Sequence, residues 1–182
     1  MKKILILHGW DDNSKSYWIP QLKKLLQNKG FNIICPDLPN SHKPILKDWL
    51  KKAKKAYGSF GKSDTIIAYS SGFTLALQLL AEFSETKKIK RLIGLAPFDS
   101  VLTDDKLTTD LYSIPIDYNQ IRNKAEYFNL IASDNDPYIP LDKYPRRIKK
   151  ELNAEMEIIH AGLINKSEHY KLISPIILKW LI

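Results

Sequence analysis

Cysteine is nearly absent: Cys35 stands alone among 182 residues, so no internal disulfide framework can form and a reducing compartment is expected. Glycine is scarce as well, at seven residues, and none of them builds a Gly-rich phosphate loop. There is no HExxH motif and no cysteine pair, and His8 with Asp11 and Asp12 is too isolated to make a metal site. No apolar run approaches the ~18 residues of a membrane span. The basic start imitates a signal peptide, but its apolar run covers only residues 4–7. These absences lead to the expectation of a soluble cytoplasmic protein with no cofactor, no metal and no membrane partner.

What is present describes an ordinary folded chain, 44% hydrophobic and 26% charged, which argues for one domain over residues 1–182. The net charge of +8 invites a nucleic-acid partner. The distribution speaks against one, because Lys pairs are scattered over several segments and Arg, the favoured base reader, occurs only four times. A solvated basic surface is the better reading.

Apolar runs at residues 3–7, 31–35, 65–68, 91–96, 127–132 and 155–159 are separated by intervals too long for hairpins. Helix-period segments fill those intervals at 17–27, 45–56, 73–83, 141–152 and 170–181. Six such units predict an α/β fold, a three-layer αβα sandwich around a mostly parallel sheet of about six strands. The crossover at 97–125 differs, being polar and turn-rich, and reads either as a rim or lid over the site or as a plain surface loop.

Three segments could carry chemistry. Ala68-Tyr69-Ser70-Ser71-Gly72 follows a strand and precedes the apolar helix that starts near Phe73. A tight strand-to-helix turn lifts a serine hydroxyl above the sheet and aims helix N–H groups at it, which makes Ser70 the candidate nucleophile. The competing reading is a plain N-cap. His8-Gly9-Trp10-Asp11 follows the first strand, where α/β-hydrolases place an oxyanion loop, so the N–H groups of Trp10 and Ser71 are the candidate oxyanion donors. The His8 side chain is expected only to pack or hydrogen-bond. Ser133-Asp134-Asn135-Asp136-Pro137-Tyr138-Ile139-Pro140 ends a late strand; counting back from Ile139-Pro140 selects Asp136 as the acid, with Asp134 or Asn135 shaping the turn.

The HGW start, the PDLPNSHKP loop, the YSSG elbow, the SDNDPYIP turn and a Gly-containing loop before the last helix together resemble the retinoblastoma-binding protein 9 family of small serine hydrolases. The resemblance implies a compact α/β-hydrolase with a catalytic triad in the order Ser, Asp, His. In that family the histidine follows a glycine after the last strand; here His160-Ala161-Gly162-Leu163 puts Leu163 at the matching position. His169 at the start of the last helix, His160 at the strand end, or no histidine at all are the three outcomes, with His169 entered as the catalytic candidate. His42 is expected to line the rim.

The expected function is therefore a serine hydrolase of esterase type. A small ester, thioester or amide would be its acyl substrate, passing through an acyl-enzyme on Ser70. The alternative is a catalytically impaired scaffold acting as a binding protein, with a protein partner.

Overall fold

In the computed structural model, residues 2–101 and 109–182 are described. Six strands form one sheet: β1 (Lys3–Leu7), β2 (Asn32–Ile34), β3 (Thr65–Tyr69), β4 (Ile89–Leu95), β5 (Ala125–Ser133) and β6 (Glu155–Ile159). Their order is β2-β1-β3-β4-β5-β6 and every pairing is parallel. The helices between them are α1 (Ile19–Asn28), α2 (Leu46–Tyr57), α3 (Ser71–Ala81), α4 (Tyr118–Ile121), α5 (Pro145–Leu152) and α6 (Tyr170–Leu181). A 3-10 turn, Ser167–His169, leads into α6. None of the described helices is long and apolar enough to cross a membrane.

The central strands read as largely apolar where both of their faces are covered. Every residue of β3 is buried, as are the last four of β1. The edges look different: β2 is only three residues long, and β6 alternates Glu155 and Glu157 with apolar side chains, both glutamates meeting Lys179 of α6. Such short or charged edges discourage pairing with another sheet.

Helix starts follow local chemistry. The apolar spacing predicts α5 from residue 141, but it begins at Pro145, whose missing N–H is harmless in a first turn. Similarly α1 begins at Ile19 with Pro20 in its first turn, two residues after its predicted start. Helix α3 starts earlier than predicted, at Ser71, and buries Ser71 to Leu80 without a break. It can sit this deep because two neighbouring positions lack a side chain. A Cβ on Gly72 would stand 2.5 Å from His8 O and 2.7 Å from Leu7 O, and one on Gly94 would stand 2.5 Å from the Phe73 ring.

The 97–125 crossover contains α4, and its residues 102–108 lie outside the described residues, as does that part of the expected rim. Its stretch from residue 109 onward is fastened to the elbow helix and to α2. The Tyr112 hydroxyl meets Ser71 Oγ at 3.1 Å, Gln78 Nε2 donates to Ile114 O at 2.7 Å, and Leu46 N–H donates to Asp110 Oδ1 at 2.7 Å. Between β1 and β3 the strand order reverses direction. In open parallel sheets ligands bind outside the carboxyl ends of the strands at such a switch point, and there the chain places Leu7-His8-Gly9 beside Ala68-Tyr69-Ser70.

Candidate active site

Ser70 is the hinge between β3 and α3, with φ 54° and ψ −126°. A non-glycine residue held there stores roughly 1–3 kcal/mol of strain, which persists only where surrounding contacts enforce it. Those contacts are present: Ser70 N–H donates to Leu95 O at 2.9 Å, and Ser70 O accepts from Phe73 N–H at 2.8 Å. Ser70 makes no side-chain cap, which removes the plain N-cap reading. Ser71 opens α3, and the first N–H groups of a helix have no intrahelical partner, so they and the positive dipole end face the serine.

The loop after β1 crosses directly over this serine. A Cβ on Gly9 would stand 2.9 Å from Ser70 Cβ and 3.3 Å from Ser70 Oγ, so only glycine admits the crossing. Trp10 follows, half-buried, and Asp11 turns the chain at φ 54° while its N–H donates to Ser41 O at 2.9 Å. His8 anchors the loop. Leu38 N–H donates to His8 Nε2 at 2.8 Å, which leaves the ring proton on Nδ1, 2.9 Å from Gly9 O. Burial lowers the His8 pKa, consistent with a neutral ring whose two nitrogens are both engaged. The packing role expected for His8 is the one it has.

Asp136 sits in the turn after β5. Its Oδ1 accepts from Tyr138 N–H at 2.9 Å and from Ile139 N–H at 3.0 Å. Its Oδ2 is buried and has no hydrogen-bond partner among the described residues. Burial raises the Asp136 pKa and the two N–H groups pull it back. The turn is shaped by Asp136 itself, while Asn135 reaches across to the last loop: its Oδ1 accepts from Gly162 N–H at 2.7 Å and from Ser133 Oγ at 2.8 Å. Trp18 Nε1 donates to Ile164 O at 3.0 Å. Leu163, half-buried, is therefore held between two fastened residues next to the Asp136 turn.

Among the described residues, none of the four histidines hydrogen-bonds to Asp136 or Ser70. His160 is exposed; its Nδ1 lies 2.8 Å from Asp134 Oδ1 and its Nε2 lies 3.2 Å from Asn135 Nδ2. His169 is buried in the 3-10 turn, where Nδ1 accepts from Lys166 N–H at 3.4 Å, and burial lowers its pKa. His42 is exposed in the loop beside Ser41.

A strained serine elbow at the switch point, under a glycine crossing and at a helix N-terminus, is an arrangement that comparison can test. A profile of the serine hydrolase family matches residues 4–178. The chain belongs to the serine hydrolase family. YdeN of Bacillus subtilis, a hydrolase by description only, is 24% identical over 170 residues, which are 93% of this chain and 89% of that protein. The crystal structure of YdeN superposes with a TM-score of 0.90 at 22% identity, covering 100% of this chain and 98% of the other. Est1E of Butyrivibrio proteoclasticus, solved with ferulic acid bound, gives a TM-score of 0.76 at 15% identity, covering 100% of this chain and 88% of the other. These structures carry the fold, and the small serine hydrolase of α/β-hydrolase type expected from the sequence is what the family match supports.

A second carboxylate lies close to Ser70. Asp12 is buried, 4% exposed, although its neighbour Asp11 points to solvent. Asp12 Oδ2 would stand 3.1 Å from the same Gly9 Cβ that approaches Ser70 Oγ. Burial pushes its pKa up to about 6, while Tyr17, the Gly9 N–H and Ser16 draw it down. Nothing in the sequence separates it from Asp11; the burial that distinguishes the two is set by tertiary contacts.

Proposed function

We propose that the chain is an esterase-like hydrolase that cleaves a small ester, thioester or amide through an acyl-enzyme on Ser70, with the N–H groups of Trp10 and Ser71 receiving the oxyanion. The observation that carries this reading is the backbone of Ser70, held at φ 54° against the N-terminus of α3. Strain of that kind serves to present the hydroxyl, since a serine needed only for capping would adopt an extended conformation. Asp136 is the acid of this site. His169, the base expected from the sequence, has its Nδ1 accepting from Lys166 N–H at 3.4 Å, so its part in proton transfer is the point to be tested. The partner is a small acyl compound in the cytoplasm, and the basic surface is solvated and holds no nucleic acid.

Labelling with a fluorophosphonate probe tests this. Wild type should label and Ser70→Ala should not; an unlabelled wild type refutes the hydrolase. Labelling of His169→Ala at the wild-type rate removes that residue from the mechanism.

A second reading, a binding scaffold that has lost turnover, is favoured by Leu163 at the histidine position and by Asp136 Oδ2, which has no hydrogen-bond partner among the described residues. It predicts a folded wild type that neither labels nor hydrolyses activated esters.

A further inference from the structure

Acylation of a serine needs a group that takes its proton; among the described residues three of the four histidines are engaged elsewhere, and the fourth, His42, is exposed and makes no hydrogen bond to Ser70 or Asp136. His8 is locked between Leu38 and Gly9, His160 lies on Asp134 and Asn135, and His169 lies on Lys166. The carboxylate that would orient an imidazole, Asp136, has its Oδ2 buried and without a hydrogen-bond partner among the described residues. A second buried carboxylate lies on the other side of the serine. Asp12 Oδ2 and Ser70 Oγ stand 3.1 and 3.3 Å from one point beside Gly9, so they cannot be further apart than those two distances together. A direct hydrogen bond covers about 2.8 Å and one bridging water about 5.6 Å, so over most of the range these two distances allow, the groups are joined directly or through a single water.

We propose that Asp12 is the proton acceptor for Ser70, replacing the histidine that the Asp136 turn lacks. The inference rests on the acylation of Ser70 proposed above. Three features support it beyond proximity. Asp12 is 4% exposed, and among the described residues no Lys or Arg pairs with it. A buried carboxylate without a cation is costly, and such groups concentrate at functional sites. Its basicity is near that of an imidazole, because burial raises its pKa to about 6. The charge also balances: as the proton moves from Ser70 Oγ to Asp12 Oδ2, the negative charge moves from Asp12 to the carbonyl oxygen, so the step adds no net charge to the site.

With an ester as substrate, the Ser70 Oγ–H proton passes to Asp12, Oγ bonds to the acyl carbon, and the carbonyl electron pair moves onto oxygen at the Trp10 and Ser71 N–H groups. Collapse of this oxyanion breaks the bond to the leaving alkoxide, which takes the proton from Asp12. Water then attacks the acyl-enzyme by the same route, giving its proton to Asp12, which returns it to Ser70 Oγ. The groups acting on Asp12 are Tyr17, the Gly9 N–H, Asp11 and Ser16, and Asp12 in turn acts on Tyr69, as does Asp136; both tyrosines stay neutral because burial raises their pKa.

The test is pre-steady-state acylation by p-nitrophenyl acetate from about pH 4.5 to 8, in wild type, Asp12→Asn, Asp12→Ala and Ser70→Ala. Wild-type acylation should rise with pH through an apparent pKa near 6. Asp12→Asn should lose roughly 100-fold or more and lose the pH rise, and formate should restore part of the Asp12→Ala rate. Near-UV circular dichroism establishes that each variant is folded. Asp12→Asn acylating at the wild-type rate with the wild-type pH profile overturns the inference while leaving the hydrolase standing. Should the asparagine variant fail to fold, a flat wild-type profile or a formate-insensitive Asp12→Ala overturns it instead. No Ser70-dependent acylation in wild type overturns the hydrolase reading and this inference with it.

Discussion

Asp12 has a consequence for stability that is independent of any substrate. Its pKa rises from 3.8 to about 6 on folding, chiefly because burial disfavours the carboxylate. The folded protein therefore binds more protons here than the unfolded chain between those two values, so stability falls as pH rises through that window. Below pH 3.8 the penalty is absent, and above about pH 6 it is complete. At 1.36 kcal/mol per pH unit the full penalty is about 3 kcal/mol. Asp12→Asn removes the titrating charge and keeps an acceptor for the groups around it. It should stabilise the protein by about 2–3 kcal/mol at pH 8, a rise in Tm on the order of 4–12 °C for a chain of this size, and by almost nothing near pH 4. Urea unfolding of both proteins at the two pH values reads the difference directly, and effects common to both cancel. Equal stability gains at pH 4 and pH 8, or none at either, refute the assignment of Asp12 as a buried carboxylate. A gain at pH 8 alongside lost acylation is the pattern of a group retained for function against stability.

Three further outcomes concern the elbow and the core. Gly72→Ala places a methyl within 2.5 Å of a backbone carbonyl that cannot turn aside, so the urea midpoint should drop by the equivalent of about 3 kcal/mol; an unchanged midpoint contradicts the close packing of α3 on β1. Ser70→Gly releases strain at φ 54° and should stabilise by about 1 kcal/mol while abolishing fluorophosphonate labelling, whereas a loss of stability argues that the elbow is relaxed. Burial pushes the Cys35 thiol up to about 12, so at pH 8 a thiol reagent should modify native protein far more slowly than urea-unfolded protein.

The parallel sheet was legible because a strand covered on both faces has to be apolar where it is buried, as β1 is from Ile4, β3 throughout and β4 from Leu92. The elbow was legible for a related reason: small residues at Ser70, Ser71 and Gly72 between a strand and an apolar helix suit a turn that must pass close to neighbouring backbone. Boundaries slipped where sequence periodicity continues into a turn, as at residues 141–144, which the chain spends approaching Pro145. Asp12 was not legible, because two adjacent acids in a loop look alike until tertiary contacts separate them. Asp11 takes a left-handed φ of 54°, which turns the chain back over Gly9 and leaves Asp11 in water with Asp12 beneath it. Gly9 itself is forced by the approach to Ser70. Gly9, which lets the loop after β1 cross Ser70, is thus the same residue beside which Asp12 Oδ2 and Ser70 Oγ approach one point, and a methyl at position 9 should disturb both relationships at once.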